Sequence, residues 1–284
     1  MSKHFKIVLF SVLALFAAIG LLFSAVFVAM QFGLLNVRGS ALERNSFFTD
    51  GTPAETKIAS TPCTVEERKV CPWNETPEWE VVAGGLQKDA AIIARVEKET
   101  GVSGRLIAAV VIPEQIRFFT SEREVFKRYF EPLKILGSLS QFSLGVSGIK
   151  QETAKKVEEY AQDPSSPFYP GPEAAVLLSY PEGVDKNSEL FRRLTDDKDH
   201  YYSYLYTALY LKEIQAQWRN AGFPINENPE ALVTLFNIGF TNSRPNPSPQ
   251  PGGAPITVGG TTYAFGTLGA EFYRSSLLTE FFPR

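Results

Sequence analysis

The stretch Leu-Ile-Ala-Ala-Val-Val-Ile-Pro-Glu-Gln-Ile at positions 106–116 contains one ionisable residue, Glu114, and its pattern predicts an apolar helix over 105–120. A carboxyl group in apolar surroundings loses hydration, and this loss disfavours its ionised form. A carboxyl group that stays protonated near neutral pH can serve as a general acid. Pro113 is expected to kink or end the helix, since proline lacks the backbone N–H and clashes with the preceding turn. Glu114 is therefore expected at a helix end, where its side chain can reach a cleft.

The pattern from about residue 81 onward is mainly helical. Apolar residues at helical spacing predict helices over 86–100, 122–136, 151–161, 200–220, 229–236 and 268–279. Ser103 and Asn228 are N-cap candidates for the helices that follow them. The segment 256–263, with Gly-Gly at its centre, predicts a small β-hairpin, and the proline-rich stretch 243–255 before it predicts a loop. The expected fold class is mainly α with one small β-hairpin.

The bulk composition excludes few classes of protein. The 284 residues suffice for one large or two small domains beside a membrane segment. A hydrophobic content of 44% and a charged content of 21% are ordinary for a globular chain. The formal net charge of −3 argues against a nucleic-acid partner, because proteins that bind nucleic acid usually carry a basic patch.

Residues 1–37 are a separate part of the chain. Residues 7–30 contain no charged side chain, and a helix of that length would run roughly 36 Å, enough to cross the hydrocarbon core of a membrane. The run is longer than the apolar region of a signal peptide, so we predict an uncleaved signal anchor, with cleavage near Ala17, Ala18 or Ala25 as the alternative. Lys3 and Lys6 before the span give a slight positive-inside bias. We expect a short cytoplasmic tail, one transmembrane helix in the cytoplasmic membrane and a C-terminal domain on its periplasmic or wall side.

Residues 38–80 are expected to form an extracytoplasmic stalk between this anchor (1–37) and the folded domain (81–284). They are rich in Thr, Ser, Pro and Glu and show no sustained apolar period. Cys63 and Cys71 are the only cysteines, and a close pair in an exported segment predicts a local disulfide, with free thiols as the alternative. Their spacing does not indicate a metal site, because no histidine or further cysteine accompanies them.

Three segments, taken in order, resemble the motifs of the lytic transglycosylases and related lysozyme-like enzymes. Leu-Ile-Ala-Ala-Val followed by Glu114 resembles their catalytic helix. Ser-Leu-Gly-Val-Ser-Gly-Ile-Lys-Gln-Glu-Thr-Ala (143–154) resembles their second motif, a Ser-x-Gly turn that runs into a helix beginning with a Thr-Ala pair. Leu-Phe-Asn-Ile-Gly (235–239) resembles the third motif, in which Tyr-Asn and a glycine end a helix beside the cleft. The resemblance covers about residues 82–280.

The resemblance implies a lysozyme-like helical fold and an activity on the glycan strands of peptidoglycan. It implies cleavage of the bond between N-acetylmuramic acid and N-acetylglucosamine with formation of a 1,6-anhydro sugar, for which no metal or cofactor is required. Glu114 would be the single acid and base. The positions assigned to substrate binding are Gln115, Ser143, Gly145, Phe236 and Asn237.

Two positions depart from the family pattern. Gly148 stands where family members usually have glutamine, and Phe236 stands where they usually have tyrosine. The missing groups would bind or orient sugar, so a non-catalytic protein of the same fold, binding glycan or scaffolding an envelope complex, is the alternative. For Glu114 itself, the alternative is a carboxylate paired with Arg117 or Arg105.

A hydrolytic muramidase is a further alternative. A retaining or inverting hydrolase normally uses a second carboxylate at a set distance from the first. Glu122, Glu124 and Glu131 follow Glu114 in the sequence, but they lie on a charged amphipathic stretch and are expected to be solvated. This favours the transglycosylase over the hydrolase.

Overall fold

The computed structural model describes residues 71–120, 143–144, 146–196 and 198–284, and five residues near the N-terminus. The chain divides into two units, Met1–Arg38 and Gly39–Arg284. The five residues described in the first unit are helical and exposed: Phe5, Phe10, Phe16, Gly20 and Leu21. Among the described residues, no helix is both long enough and apolar enough to cross a membrane. The predicted span over 7–30 lies almost wholly outside the described residues.

The described part of the second unit is mainly helical, which confirms the mainly α part of the predicted fold class. A 3-10 turn (Pro72–Glu75) leads into helices α1 (Pro77–Lys88), α2 (Ala90–Thr100) and α3 (Gly104–Thr120), and then into the two short strands β1 (Ser143–Leu144) and β2 (Ile149–Lys150). There follow α4 (Gln151–Gln162), α5 (Pro172–Leu177), α6 (Lys186–Thr195), α7 (Tyr201–Asn220), α8 (Pro229–Ile238), a 3-10 turn (Phe240–Asn242), β3 (Pro255–Val258), β4 (Thr261–Ala264) and α9 (Phe265–Arg274). The predicted helix over 122–136 lies outside the described residues.

Helix α3 lies at the centre of the core. It contacts α1, α2, α7, α8, α9 and strand β3, and residues 107–112 are at most 2% exposed. A helix that is apolar on all sides is stable only when neighbours surround it, which explains this central position. The Ser103 hydroxyl accepts from the backbone N–H of Leu106 at 3.3 Å, which confirms Ser103 as the cap of α3.

The helix covers the span predicted for it, but it does not end at Pro113, so the expected placement of Glu114 at a helix end is wrong. It continues to Thr120, so Glu114 lies within the helix. Proline at 113 removes the hydrogen bond that the carbonyl of Ala109 would accept within the helix. Gly269 of α9 packs against that carbonyl so closely that a Cβ at position 269 would lie 2.3 Å from the Ala109 oxygen. Helix α9 thus covers α3 at the Ala109 carbonyl, which cannot accept a hydrogen bond from the proline at 113.

Helix α7 is the second long element of the core. It contacts α2, α4 and α8, and most of its side chains are buried. Its bounds agree with the helix predicted over 200–220, and the bounds of α4 and α8 agree with those predicted over 151–161 and 229–236. The Asn228 side chain accepts from the backbone N–H of Ala231 at 3.0 Å, as expected of the cap of α8.

The predicted β-hairpin is confirmed as the antiparallel pair β3 and β4, with Val258 opposite Thr261 across the Gly-Gly turn. Gly259 lies against the start of the domain, since a Cβ there would be 2.5 Å from the Pro72 carbonyl oxygen. The last helix, α9, begins three residues before the predicted start at 268 and ends at Arg274.

The packed domain includes residues that the sequence placed in the stalk. Trp73 is fully buried and donates from its indole N–H to a carboxylate oxygen of Glu271 at 2.8 Å. Trp79 is buried and meets the Trp73 ring edge to face, with 5.1 Å between the centroids. Residues 71–80 therefore belong to the folded domain. Cys71 is buried and is not a free thiol, but Cys63 lies outside the described residues, so the pairing of the two stays a prediction.

Candidate active site

The carboxyl group of Glu114 is held on the inner side of α3. Glu114 is 8% exposed, and its neighbours Ile112 and Ile116 are fully buried. Arg117, one turn further along the helix, donates a hydrogen bond from Nη2 to Oε1 of Glu114. The side chain of Arg117 is itself only 19% exposed. The ion pair with Arg117 is thus the one that the sequence left open as an alternative.

Arg105, the other candidate partner, is used elsewhere. Its guanidinium is 1% exposed and donates to backbone carbonyls of the C-terminal segment, among them those of Tyr273 at 2.7 Å and Phe282 at 2.9 Å. Burial lowers the pKa of Arg105 to about 10, which still leaves it charged at neutral pH. Arg105 therefore fixes the end of the chain and is not a partner of Glu114.

The Ser/Gly-rich segment forms a tight turn against Glu114. Strands β1 and β2 pair antiparallel, with Ser143 opposite Lys150, and the turn between them ends at Gly148. Gly148 has a φ of +63°, in the left-handed region that favours glycine. A Cβ at this position would lie 2.0 Å from Oε1 of Glu114 and 2.5 Å from its Cδ. The carboxyl group of Glu114 therefore occupies the space that a side chain at 148 would need.

Two further contacts fix this turn. The side-chain amide of Gln115 donates from Nε2 to the carbonyl of Val146. Ser147 is fully buried, and its hydroxyl donates to the carbonyl of Ser203 on α7 at 3.1 Å. The first two sequence segments thus meet at Glu114 and Gly148, and the side chain of Gln115 contacts the backbone of the turn.

The third segment lies on helix α8. Helix α8, which carries it, packs on α3. Phe236 is buried against Tyr210, with 5.0 Å between the ring centroids. Asn237 accepts from the backbone N–H of Ala254 at 2.8 Å and so holds the proline-rich loop onto α8. In the part of the chain that the structure describes, neither residue has a recorded contact with Glu114.

Two predicted substrate-binding residues have no described side-chain environment. Ser143 lies in β1, where only its backbone pairing is described. Gly145 lies outside the described residues. Glu122, Glu124 and Glu131 also lie outside them, and no cluster of three or more His, Cys, Asp or Glu suited to a metal ion occurs among the described side chains.

Sequence reasoning missed the roles of Ser147 and Gly148. Gly148 entered only as a departure from a motif, although its left-handed conformation makes glycine the favoured residue there. Ser147 is a small polar residue between apolar neighbours, a pattern that surface turns share. The Arg117 contact had a clear signal, because residues three apart on a helix are neighbours.

Comparison with known proteins gives no family for this chain. No family model, no curated protein and no solved structure matches it. The argument for function therefore rests on the residues and on the geometry around Glu114.

Proposed function

We propose that this protein is a membrane-anchored lytic transglycosylase that cleaves peptidoglycan between N-acetylmuramic acid and N-acetylglucosamine. The observation that carries the proposal is the contact between the nearly buried carboxyl group of Glu114 and the backbone of Gly148. These two positions come from the first two of the three resembling segments, separated in sequence by more than thirty residues. A low-dielectric setting beside a fixed backbone turn suits a single acid and base.

The proposed reaction needs one carboxyl group in two roles. Protonated Glu114 donates its proton to the glycosidic oxygen as the bond from that oxygen to C1 of the muramic sugar breaks. The resulting carboxylate accepts the proton of the muramic 6-hydroxyl, whose oxygen forms the new bond to C1. The products are a 1,6-anhydro end and a new free hydroxyl on the leaving sugar, and Glu114 returns to its starting state without consuming water.

The proposed localisation rests on the N-terminal unit. Its sequence over 7–30 is uncharged, and the described residues Phe10, Phe16 and Leu21 are helical and 67–74% exposed. Large apolar side chains exposed on a helix are suited to lipid. An anchor of this kind would hold the domain at the outer face of the cytoplasmic membrane, within reach of glycan strands, and a Cys63–Cys71 disulfide would suit that compartment.

A non-catalytic, lysozyme-like protein that binds glycan or scaffolds an envelope complex is the second candidate. The contact between Arg117 and Glu114 favours it, because the carboxyl group already has a partner within the protein. The burial of Phe236 against Tyr210 points the same way, since this ring is used in packing.

One experiment separates these functions. The full chain is incubated with purified peptidoglycan, and the released sugars are analysed by mass spectrometry. Anhydro-muropeptides support the transglycosylase, reducing ends indicate a hydrolytic muramidase, and no release by a folded chain that sediments with peptidoglycan indicates the binding protein. The matched variant is Glu114→Gln, which keeps the shape of the side chain and should release no product. Product release by Glu114→Gln at the parent rate would disprove the role of Glu114.

A further inference from the structure

The volume next to Gly148 is filled by a single side chain. For a Cβ built at 148, the three nearest atoms are Oε1, Cδ and Cγ of Glu114, at 2.0, 2.5 and 2.7 Å. A Cβ atom does not approach a non-bonded atom this closely. An alanine at 148 would thus require the whole outer part of the Glu114 side chain to move, and a rotation of the carboxyl group alone would not suffice.

The turn that carries Gly148 is held in its position by contacts with α3 and α7. It is held to α3 by the hydrogen bond from Gln115 to the Val146 carbonyl and to α7 by the bond from Ser147 to the Ser203 carbonyl. Ile149, the next residue, is buried and paired with Leu144. Shifting the turn would break both of these hydrogen bonds.

Two features hold the Glu114 side chain in place. Its backbone belongs to the buried helix α3, and its carboxylate is paired with Arg117 on the same helix. Oε1 of Glu114 accepts from Arg117, and the same oxygen is the atom nearest to the Cβ position of residue 148.

We infer that Gly148 is a positioning residue for Glu114: its missing side chain leaves the space that fixes the carboxyl group of the proposed acid. The inference rests on the proposed function for its catalytic meaning, whereas its geometric content can be tested without activity. It also explains why position 148 holds glycine where the resembling motif usually has glutamine. No side chain fits at 148 beside Glu114 in this position.

The catalytic test compares Gly148→Ala with Gly101→Ala in the full chain. Gly101 has a φ of +73°, and a Cβ there meets nothing within 4 Å, so the control carries the same backbone strain without the contact. We expect Gly148→Ala to lower kcat by about 100-fold or more with little change in KM, because a displacement of about 1 Å at the reacting group has an effect of that size. Gly101→Ala should keep kcat within about twofold of the parent. Equal kcat values for the two variants would overturn the inference.

The second test needs no activity and separates failure of this inference from failure of the proposed function. The thermal midpoints of Gly148→Ala, Glu114→Ala and the double variant are measured in the full chain. Gly148→Ala should lower the midpoint by about 5–10 °C in the parent background, but by only about 2–4 °C when Glu114→Ala is also present, which is the backbone strain alone. An equal loss in both backgrounds would show that Glu114 does not fill the space, even if the parent cleaves peptidoglycan. If the parent does not cleave it, a background-dependent loss still supports the geometric inference.

Discussion

The buried guanidinium of Arg105 donates a hydrogen bond to the backbone carbonyl of Phe282 at 2.9 Å. The same group also donates to four other carbonyls of the C-terminal segment, those of Phe272, Tyr273, Ser275 and Leu277. The segment after α9 has little regular structure, so its carbonyls need partners from elsewhere. One side chain from the central helix α3 supplies them and closes the C-terminal end of the domain.

Arg105→Met should therefore destabilise the domain strongly. It would leave several buried carbonyls without a donor, and we expect the free energy of unfolding to fall by about 3–5 kcal/mol. The measurement is urea unfolding of the full chain. The matched control is Arg95→Met, whose side chain is 59% exposed and pairs with Glu99, and which should change the free energy by about 1 kcal/mol or less. Equal losses for the two variants would show that the carbonyls find other donors.

The contact between His200 and Asp89 should make stability depend on pH. His200 Nδ1 and an oxygen of Asp89 are 2.6 Å apart. The hydrogen bond to Asp89 raises the pKa of His200 above its usual 6.5, against the opposing effect of burial. Because the pKa of His200 is raised in the folded state, protonation of His200 stabilises the folded protein. This contribution is complete below about pH 6.5 and is lost as the pH rises through the folded-state pKa.

Urea unfolding of the full chain at about pH 5.5 and about pH 8 tests this contact. The parent should lose more stability between the two values than His200→Gln, which cannot take up the proton. Burial would raise the pKa of Asp89, but the hydrogen bonds from His200 and Tyr204 outweigh it and lower that pKa below 3.8, so Asp89 is ionised throughout this range. Asp89→Asn should therefore flatten the profile as well. A slope in His200→Gln as steep as that of the parent would contradict the prediction.

Much of the fold could be predicted from the sequence where local signals agree with the packing. Helices α7 and α8 and the pair β3 and β4 have strong periodicity, a cap or a Gly-Gly turn, and their predicted bounds are close to the observed ones. The sequence predicts the span of α3 over 105–120 but not the position of Glu114 inside it, because a proline usually kinks or ends a helix. Helices α5 and α6 are short, with six and ten residues, and they are not among the helices predicted from the sequence.

The candidate site, too, could be predicted from the sequence only in part. Glu114 stood out in the sequence as the single charge in an apolar run, and the Ser/Gly turn was expected near it. The contact of Gly148 with its carboxyl group, and the use of Gln115 to hold the turn, depend on how the hairpin packs on α3. Side-chain roles of this kind are set by tertiary contacts, which a motif does not encode.

Glu213 on α7 provides another test, because it is a fully buried acid. Both of its carboxylate oxygens lack a hydrogen-bond partner among the described residues. Burial raises its pKa well above the usual 4.5, so it is neutral in the folded protein where the unfolded chain is ionised. Because the pKa of the Glu213 carboxyl group is raised in the folded state, the free energy of unfolding falls as the pH rises above about 4.5. The fall is up to ~1.4 kcal/mol for each pH unit.

Glu213→Gln should remove this pH dependence, since glutamine has a similar shape and does not ionise. Urea unfolding of both chains between about pH 5 and about pH 7 gives the comparison, in a range mostly below the His200 transition. Glu158→Gln is a suitable control, because Glu158 accepts hydrogen bonds from Tyr180 and Tyr206. That variant should lower stability at every pH in the range. If Glu213→Gln lost stability with pH as the parent does, the acid would have to be ionised inside the fold.

A variant of Asn237 tests whether this residue has a structural role or the substrate-binding role that the sequence assigned to it. Its side-chain oxygen accepts from the Ala254 backbone N–H at 2.8 Å and holds the proline-rich loop. Asn237→Ala should therefore speed hydrogen exchange at the Ala254 amide by about tenfold, equivalent to one hydrogen bond of about 1–1.5 kcal/mol. Asn242→Ala, which removes a bond to the Ile238 carbonyl at 2.6 Å, should leave that amide unchanged. Unchanged exchange in Asn237→Ala, together with weaker sedimentation with peptidoglycan, would favour direct binding of glycan by Asn237 over the loop contact.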